Sequence, residues 1–175
     1  MTSKKELRAL VEEVERGDME GGITVVGHDF DAWEAFQREH DFVLAAGGLV
    51  MDEHGRLLAI KRLGKWDLPK GKVEKGEAVD VGAVREVQEE CGLQHVELKE
   101  FVTSTWHTYE RKGRQHLKRT DWFLMRASSN EELTAQSEED IEEVRWLDND
   151  GVRMMEGDTY PSLLPVLKAW RSLSS

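Results

Sequence analysis

The chain has 175 residues and a single cysteine, and its 24 Lys plus Arg stand against 35 Asp plus Glu for a formal net charge of −11. That length suits one core-bearing domain and argues against a multidomain machine. The charge disfavours nucleic-acid duplexes and anionic membranes as partners, and a lone Cys91 excludes an intramolecular disulfide or a zinc cage built from cysteines. With 39% hydrophobic and 34% charged residues and six Trp, the composition is that of a globular chain. Met1 to Leu10 lacks an apolar signal-peptide core, and the longest mostly apolar stretch, Phe42 to Met51, is too short to span a bilayer, so a cytoplasmic protein is expected.

In chain order, Leu7, Leu10, Val11 and Val14 recur at helical spacing and predict an amphipathic helix over 4–16 that stops at Gly17. Gly21-Gly22 breaks the chain, Ile23 to Val26 reads as a strand, and Asp31 to Glu39, with Trp33 and Phe36 three apart, reads as a short helix. Phe42 to Met51 and Arg56 to Lys61 flank the turn Asp52-Glu53-His54-Gly55 and predict a hairpin. Residues 62–76 read as a loop, 77–91 as a helix, and Gly92 as its left-handed cap. Val96 to Thr108 and Leu117 to Arg126 predict a second hairpin around Glu110 to Arg114. Ser128 to Glu143 is polar and acidic, Val144 to Leu147 a short strand, and Tyr160 to Leu173 a final helix with Pro161 near its start. Hairpins mixed with helices, without regular βαβ alternation, point to an α+β or α/β sandwich with a mixed sheet. Residues 1–40 read as an appendage to a main domain of 41–175.

The helix at 77–91 carries the chemistry. At 100° per residue, with Glu86 at the origin, Glu90 falls at roughly 40° and Glu89 at roughly −60°, while Val87, Cys91, Val84, Gln88 and Val81 lie opposite. Three carboxylates on one surface repel one another unless a cation neutralises them, which suggests a hard divalent metal, Mg²⁺ or Mn²⁺. The bland alternative is a solvated acidic face, and Glu12-Glu13 and Glu142-Glu143 show how common acidic pairs are here.

The surrounding spacing decides between them. Gly71, five residues, Glu77, seven residues, then Arg85-Glu86-Val87-Gln88-Glu89-Glu90-Cys91-Gly92-Leu93 fits G-x5-E-x7-R-E-U-x-E-E-x-G-U, U being a bulky aliphatic, at every position. Nine specified positions would match by accident in this chain at a rate below ~10⁻⁶. This is the Nudix box, over 71–93, and the sequence resembles the Nudix hydrolase (MutT-type) family, whose α/β/α sandwich the order of elements from about Leu44 also resembles. The resemblance implies metal ligation by Glu86, Glu89 and Glu90, with Glu86 acting directly on the attacking water or orienting it, and by the backbone carbonyl of Lys70. It implies that Gly71 lets the loop pass close to metal and phosphates, that Glu77 and Arg85 brace loop against helix, and that Gly92 caps the helix. It further implies an additional acid before the last strand, where Glu139 is favoured over Asp140 as metal ligand or base.

Hydrolysis of a pyrophosphate bridge needs cations on its oxygens and an aligned water. Lys61, Arg62, Lys70 and Lys72 flank the box, Lys118 stands on the basic second hairpin, and Tyr109 and His107 lie on one strand edge, all candidates for substrate contact. Alternation along Leu117 to Trp122 puts Lys118 and Arg119 on opposite faces, and Lys118 is the expected contact. Trp66 to Glu77, with its Leu-Pro-Lys-Gly, resembles members acting on dinucleoside polyphosphates such as diadenosine tetraphosphate. Nucleoside triphosphates, diphosphoinositol polyphosphates and a non-catalytic nucleotide sensor are the alternatives. The partner expected is thus a small-molecule polyphosphate, with a homodimer left open.

Overall fold

The computed structural model describes residues 4–15, 24–26 and 30–173. The chain divides into two compact units, Met1–Phe42 with Thr108–Leu117, and Val43–His107 with Lys118–Ser175.

In the first unit, α1 (Lys4–Glu15) buries Leu7, as the helical spacing requires, and meets α2 (Ala32–Arg38). Asp31 caps α2 by accepting the Glu34 amide at 3.0 Å, which satisfies one of the free N–H groups of the first turn. Arg8 Nε donates to Glu39 at 2.9 Å, and Arg114 donates to Asp41 at 2.9 Å. Residues 24–26 are not a strand. The expected breaks at Gly17 and Gly21-Gly22, with Ile23, lie outside the described residues.

The strands are β1 (Asp41–Met51), β2 (Leu57–Arg62), β3 (Lys65–Asp67), β4 (Lys70–Lys72), β5 (Glu97–Arg111), β6 (Arg114–Arg126) and β7 (Ile141–Leu147). Their order is β3-β2-β1-β6-β5, with β4 on β1 and β7 on β2. The predicted loop at 62–76 is therefore partly sheet: Ala46 of β1 pairs with Gly71, and Lys61 of β2 with Trp66, both antiparallel. Three paired residues apiece, in a stretch rich in Gly and Lys, give too little periodicity to read as strands. The second hairpin is also longer than predicted, because its turn is only Lys112-Gly113, both at positive φ, a turn whose twist matches the flanking strands.

Alternation sends the side chains of β1 and β2 to two cores. Leu49, Met51, Leu57 and Ala59 join Val152 and Met155 of α4 (Asn149–Glu156) and Val166, Leu167 and Trp170 of α5 (Leu164–Leu173). Ala46, Val50, Leu58 and Ile60 join Ala83, Val87 and Cys91 of α3 (Val79–Cys91). One helix layer on each face of a mixed sheet makes an α/β/α sandwich. The last region differs from expectation: β7 begins at Ile141, α4 is an additional helix, and the final helix starts as a 3₁₀ turn over Pro161–Leu163 before α5. Asp148 accepts the Gly151 amide at 2.9 Å and caps α4, a signal present in the sequence as Asp before an apolar pair, Val152 and Met155, three apart.

Candidate active site

Loop and helix are held together by Arg85. Its Nε donates to Glu77 Oε1 at 2.8 Å and its Nη2 to Glu77 Oε2 at 3.0 Å, a forked pairing that matches guanidinium to carboxylate. The Nη1 group reaches Glu86 at 2.9 Å and Glu89 at 2.8 Å, and Nη2 also donates to the Lys72 carbonyl at 3.2 Å. Hydrogen bonding to Arg85, then to the Glu74 amide, holds the Glu77 carboxyl down to about 2. Gly92 closes α3 at φ +75°, donating to the Gln88 carbonyl, a left-handed cap that favours glycine.

The three box glutamates do not share one exposed face. Glu89 is exposed, Glu86 half-buried, and Glu90 only 1% exposed. The buried arc of α3 comprises Gly82, Ala83, Val87, Glu90 and Cys91, while Val81 is 57% exposed. This arc is rotated from the expected apolar stripe by roughly 100° at 100° per residue. Glu90 is drawn inward because its Oε2 accepts the Lys70 amide at 2.8 Å, so a backbone donor replaces part of its hydration. Burial still pushes Glu90 up to about 7, opposed by the attraction and hydrogen bond of Lys70 and reinforced by Glu86. Burial raises Glu86 as well, against Arg85, with repulsion from Glu89 and Glu139 adding to the rise. A Cβ on Gly71 would lie 2.0 Å from the Glu86 carboxylate. Only glycine lets β4 pass so close to that group.

Glu139 stands at the end of the 3₁₀ turn Ser137–Glu139, where it accepts from Arg62 at 3.3 Å. Its repulsion of Glu86 brings it into the same electrostatic neighbourhood. Arg62 also keeps a buried Nε without a hydrogen-bond partner. On β6, Lys118 interacts with Lys70, Asp67, Arg62 and Glu90, and burial followed by Lys70 brings its ammonium down to about 8. Arg119 turns away, pairing with Asp121 at 2.7 Å and lying 5.8 Å over the Trp106 ring. The remaining candidates are placed differently. Lys61 projects from β2 on the α4–α5 side and lies 5.9 Å over Trp66, while Lys72 is exposed with its carbonyl on Arg85. Tyr109 belongs to the first unit and stacks on His116, with ring centroids 5.0 Å apart.

Two residues of the second unit join the site unannounced by the box. Asp67, buried at the end of β3, accepts from Lys70 Nζ at 2.7 Å. His107 stands across the hairpin from Lys118, and burial, then Lys118 and Lys70, lower its pKa. His107 is among the substrate contacts expected from its strand edge, whereas nothing in linear spacing singles out Asp67.

Among the described residues, no three His, Cys, Asp or Glu side chains lie close enough together to enclose a metal ion as they stand. Arg85 holds Glu86 and Glu89 in the role of their cation. The donor set nonetheless fits a divalent metal: four carboxylates, one buried with its pKa raised and one raised in part by like charges, are oxygen ligands whose repulsion a hard cation relieves.

An α/β/α sandwich carrying this helix and loop defines the class, and a family model for the NUDIX domain matches residues 41–168. The chain belongs to that family. It is 31% identical over 101 residues to an RNA pyrophosphohydrolase of Vibrio vulnificus (strain YJ016), covering 50% of this chain and 58% of that protein. It is 33% identical over 119 residues to an RNA pyrophosphohydrolase of Roseobacter denitrificans, covering 58% and 73%, and 46% identical over 61 residues to a MutT-like protein of Streptomyces ambofaciens, covering 34% and 39%. The chain thus spans well under two thirds of the Vibrio and Streptomyces relatives. Among solved structures, the MutT protein from Methanosarcina mazei Go1 has a TM-score of 0.60 at 20% identity, covering 78% of this chain and 98% of that one. A C. elegans Ap4A hydrolase has a TM-score of 0.58 at 20% identity, covering 75% and 96%. These likenesses concern the fold.

Proposed function

We propose that the protein is a metal-dependent pyrophosphohydrolase of a nucleoside diphosphate linked to another group, acting by preference on a dinucleoside polyphosphate. The observation that carries this reading is the facing of two charge sets: the Glu86, Glu89, Glu90 and Glu139 carboxylates, and the Arg62, Lys70 and Lys118 cations that interact with Glu90 or Glu139. Glu86, Glu89 and Glu90, with the Lys70 carbonyl and Glu139, would hold Mg²⁺ or Mn²⁺. Bound there, the metal would supply positive charge to phosphate oxygens and acidify a water. The chain's own part is to fix that geometry. Arg85 and Glu77 hold the loop, Glu90 locks the Lys70 backbone, and Glu86 or Glu139 accepts a proton from the water. Arg62, Lys70 and Lys118 bind phosphate oxygens in a half-buried setting, where charge-assisted hydrogen bonds are strong. A sensor without turnover is disfavoured because all four box carboxylates, Glu77 included, are present.

The names of the RNA pyrophosphohydrolase relatives favour a second reading, a 5′-triphosphorylated RNA end. The net charge of −11 opposes a long nucleic-acid track. One panel tests both: diadenosine tetraphosphate, nucleoside triphosphates, a diphosphoinositol polyphosphate and a 5′-triphosphorylated oligoribonucleotide with Mg²⁺, resolved by product chromatography. The tetraphosphate is expected to be turned over with the highest kcat/KM. Full activity in excess chelator would sink the metal mechanism.

A further inference from the structure

We propose that Asp67 is a positioning residue for polyphosphate binding, acting through the Lys70 ammonium and biasing the site toward longer phosphate chains. The inference rests on the polyphosphate reading above. The Asp67 side chain is 5% exposed, and a carboxylate so deeply buried persists only when paired. Both oxygens are used: Oδ1 accepts the Leu68 amide and Oδ2 accepts Lys70 Nζ, each at 2.7 Å. The Lys70 side chain is itself 11% exposed. Lys70 is therefore held at two ends, its backbone N–H by Glu90 and its ammonium by Asp67. Pro69 stiffens the connection between them.

Across from this pair stand Lys118 and His107 of the β5–β6 hairpin. Lys118 is repelled by Lys70 and Arg62 and attracted by Asp67 and Glu90, and His107 interacts with the same Lys118, Lys70 and Asp67. Two half-desolvated ammoniums that repel each other need a counter-charge to stay together before a substrate arrives. Glu90 is committed to the Lys70 backbone and to the metal reading, so that counter-charge is Asp67. A diphosphate has few oxygens beyond those the metal takes. Each added phosphate offers more acceptors to the two ammoniums, so an ordered Lys70 favours the longer anion. An amide in place of the carboxylate would keep the bond from Leu68 but turn an N–H₂ toward the ammonium, and Lys70 would leave its place.

The test uses the full chain with Mg²⁺, comparing a dinucleoside tetraphosphate with a nucleoside diphosphate. Asp67→Asn is expected to raise KM for the tetraphosphate by about tenfold or more, with kcat and the diphosphate KM each within about threefold. Lys70→Met should raise the tetraphosphate KM by at least as much, and the double variant should be no worse than Lys70→Met alone, because one residue acts through the other. Asp67→Glu should recover part of the lost affinity. Calorimetric titration with inorganic tripolyphosphate in the slow Glu86→Gln background reads the same loss without turnover. An unchanged KM ratio, multiplying effects in the double variant, or a loss confined to kcat would overturn the proposal. If Asp67→Asn does not fold, a Lys70→Met protein with unaltered KM values overturns it equally. A wild-type protein that hydrolyses no polyphosphate would instead defeat the functional reading, and the tripolyphosphate titration would still report on Asp67.

Discussion

Glu90 carries two opposed demands in one carboxyl. Folded, its pKa stands at about 7 against the ordinary 4.5, so between those values the folded chain holds a proton that the unfolded chain has released. The sign follows: this group's contribution to stability falls as pH rises from about 4.5 through 7, by about 3 kcal/mol in total as an upper bound. Glu90→Gln should therefore raise the melting temperature of the metal-free protein at pH 8 and change it little at pH 4.5, since the amide oxygen can still accept the Lys70 amide. The same change should lower turnover by about a hundredfold or more, by removing a charge from the metal site. Thermal melts at both pH values and steady-state kinetics check the pair. A variant as active as wild type would remove Glu90 from the site, and one destabilised at pH 8 would contradict its burial as an anion.

Among the elements, the antiparallel contact of β4 with β1 and the passage of Gly71 over α3 decide where the carboxylates can go. A methyl at Gly71 would meet the Glu86 carboxylate at 2.0 Å, leaving that side chain to move. Gly71→Ala should raise the Mg²⁺ concentration for half-maximal activity by about tenfold to a hundredfold, as losses of ligand-orienting groups do. It should shift the melting temperature by only a few degrees, which calorimetry beside a metal titration would show. Lys118 and Arg119 give the complementary case on β6. Lys118→Ala should raise KM for a tetraphosphate more than for a diphosphate, and Arg119→Ala should leave both alone, since Arg119 pairs with Asp121 and covers Trp106. Equal behaviour of the two variants would reduce the hairpin to a solvated loop.

Much of this was legible in one dimension because it is periodic or fixed in spacing: both hairpins, the span and cap of α3, the box itself, and the opposite facing of Lys118 and Arg119. Other features were not. The inward turn of Glu90 depends on a backbone donor twenty residues away, β3 and β4 are too short for alternation to register, and the Asp67–Lys70 pair is set by how the loop folds back. Helix periodicity ranks side chains by polarity, so it placed a carboxylate outside that its partner holds inside.

At the scale of the molecule, the two cores on opposite faces of the sheet give the carboxylate cluster a rigid floor on the α3 side, and the repulsion it stores is released by a cation. A ligand that binds only the folded state stabilises it by mass action, by about 2.7 kcal/mol at a hundred times its dissociation constant. For a domain of 150–250 residues this amounts to roughly 5–10 °C in melting temperature. Mg²⁺ or Mn²⁺ should therefore raise the melting temperature of the transition that contains α3, and by more at pH 8 than at pH 6. At pH 6 a Glu90 with a pKa of about 7 is mostly protonated, and the metal must displace that proton before the carboxylate can bind. The affinity should weaken by up to about tenfold per pH unit below 7, in proportion to the lost carboxylate. Glu90→Gln should reduce the metal-induced shift and remove its pH dependence. Melts of both proteins in metal and in chelator, at the two pH values, measure this directly. A metal shift that is absent at pH 8, or that grows on acidification, would place the cation elsewhere than at Glu90.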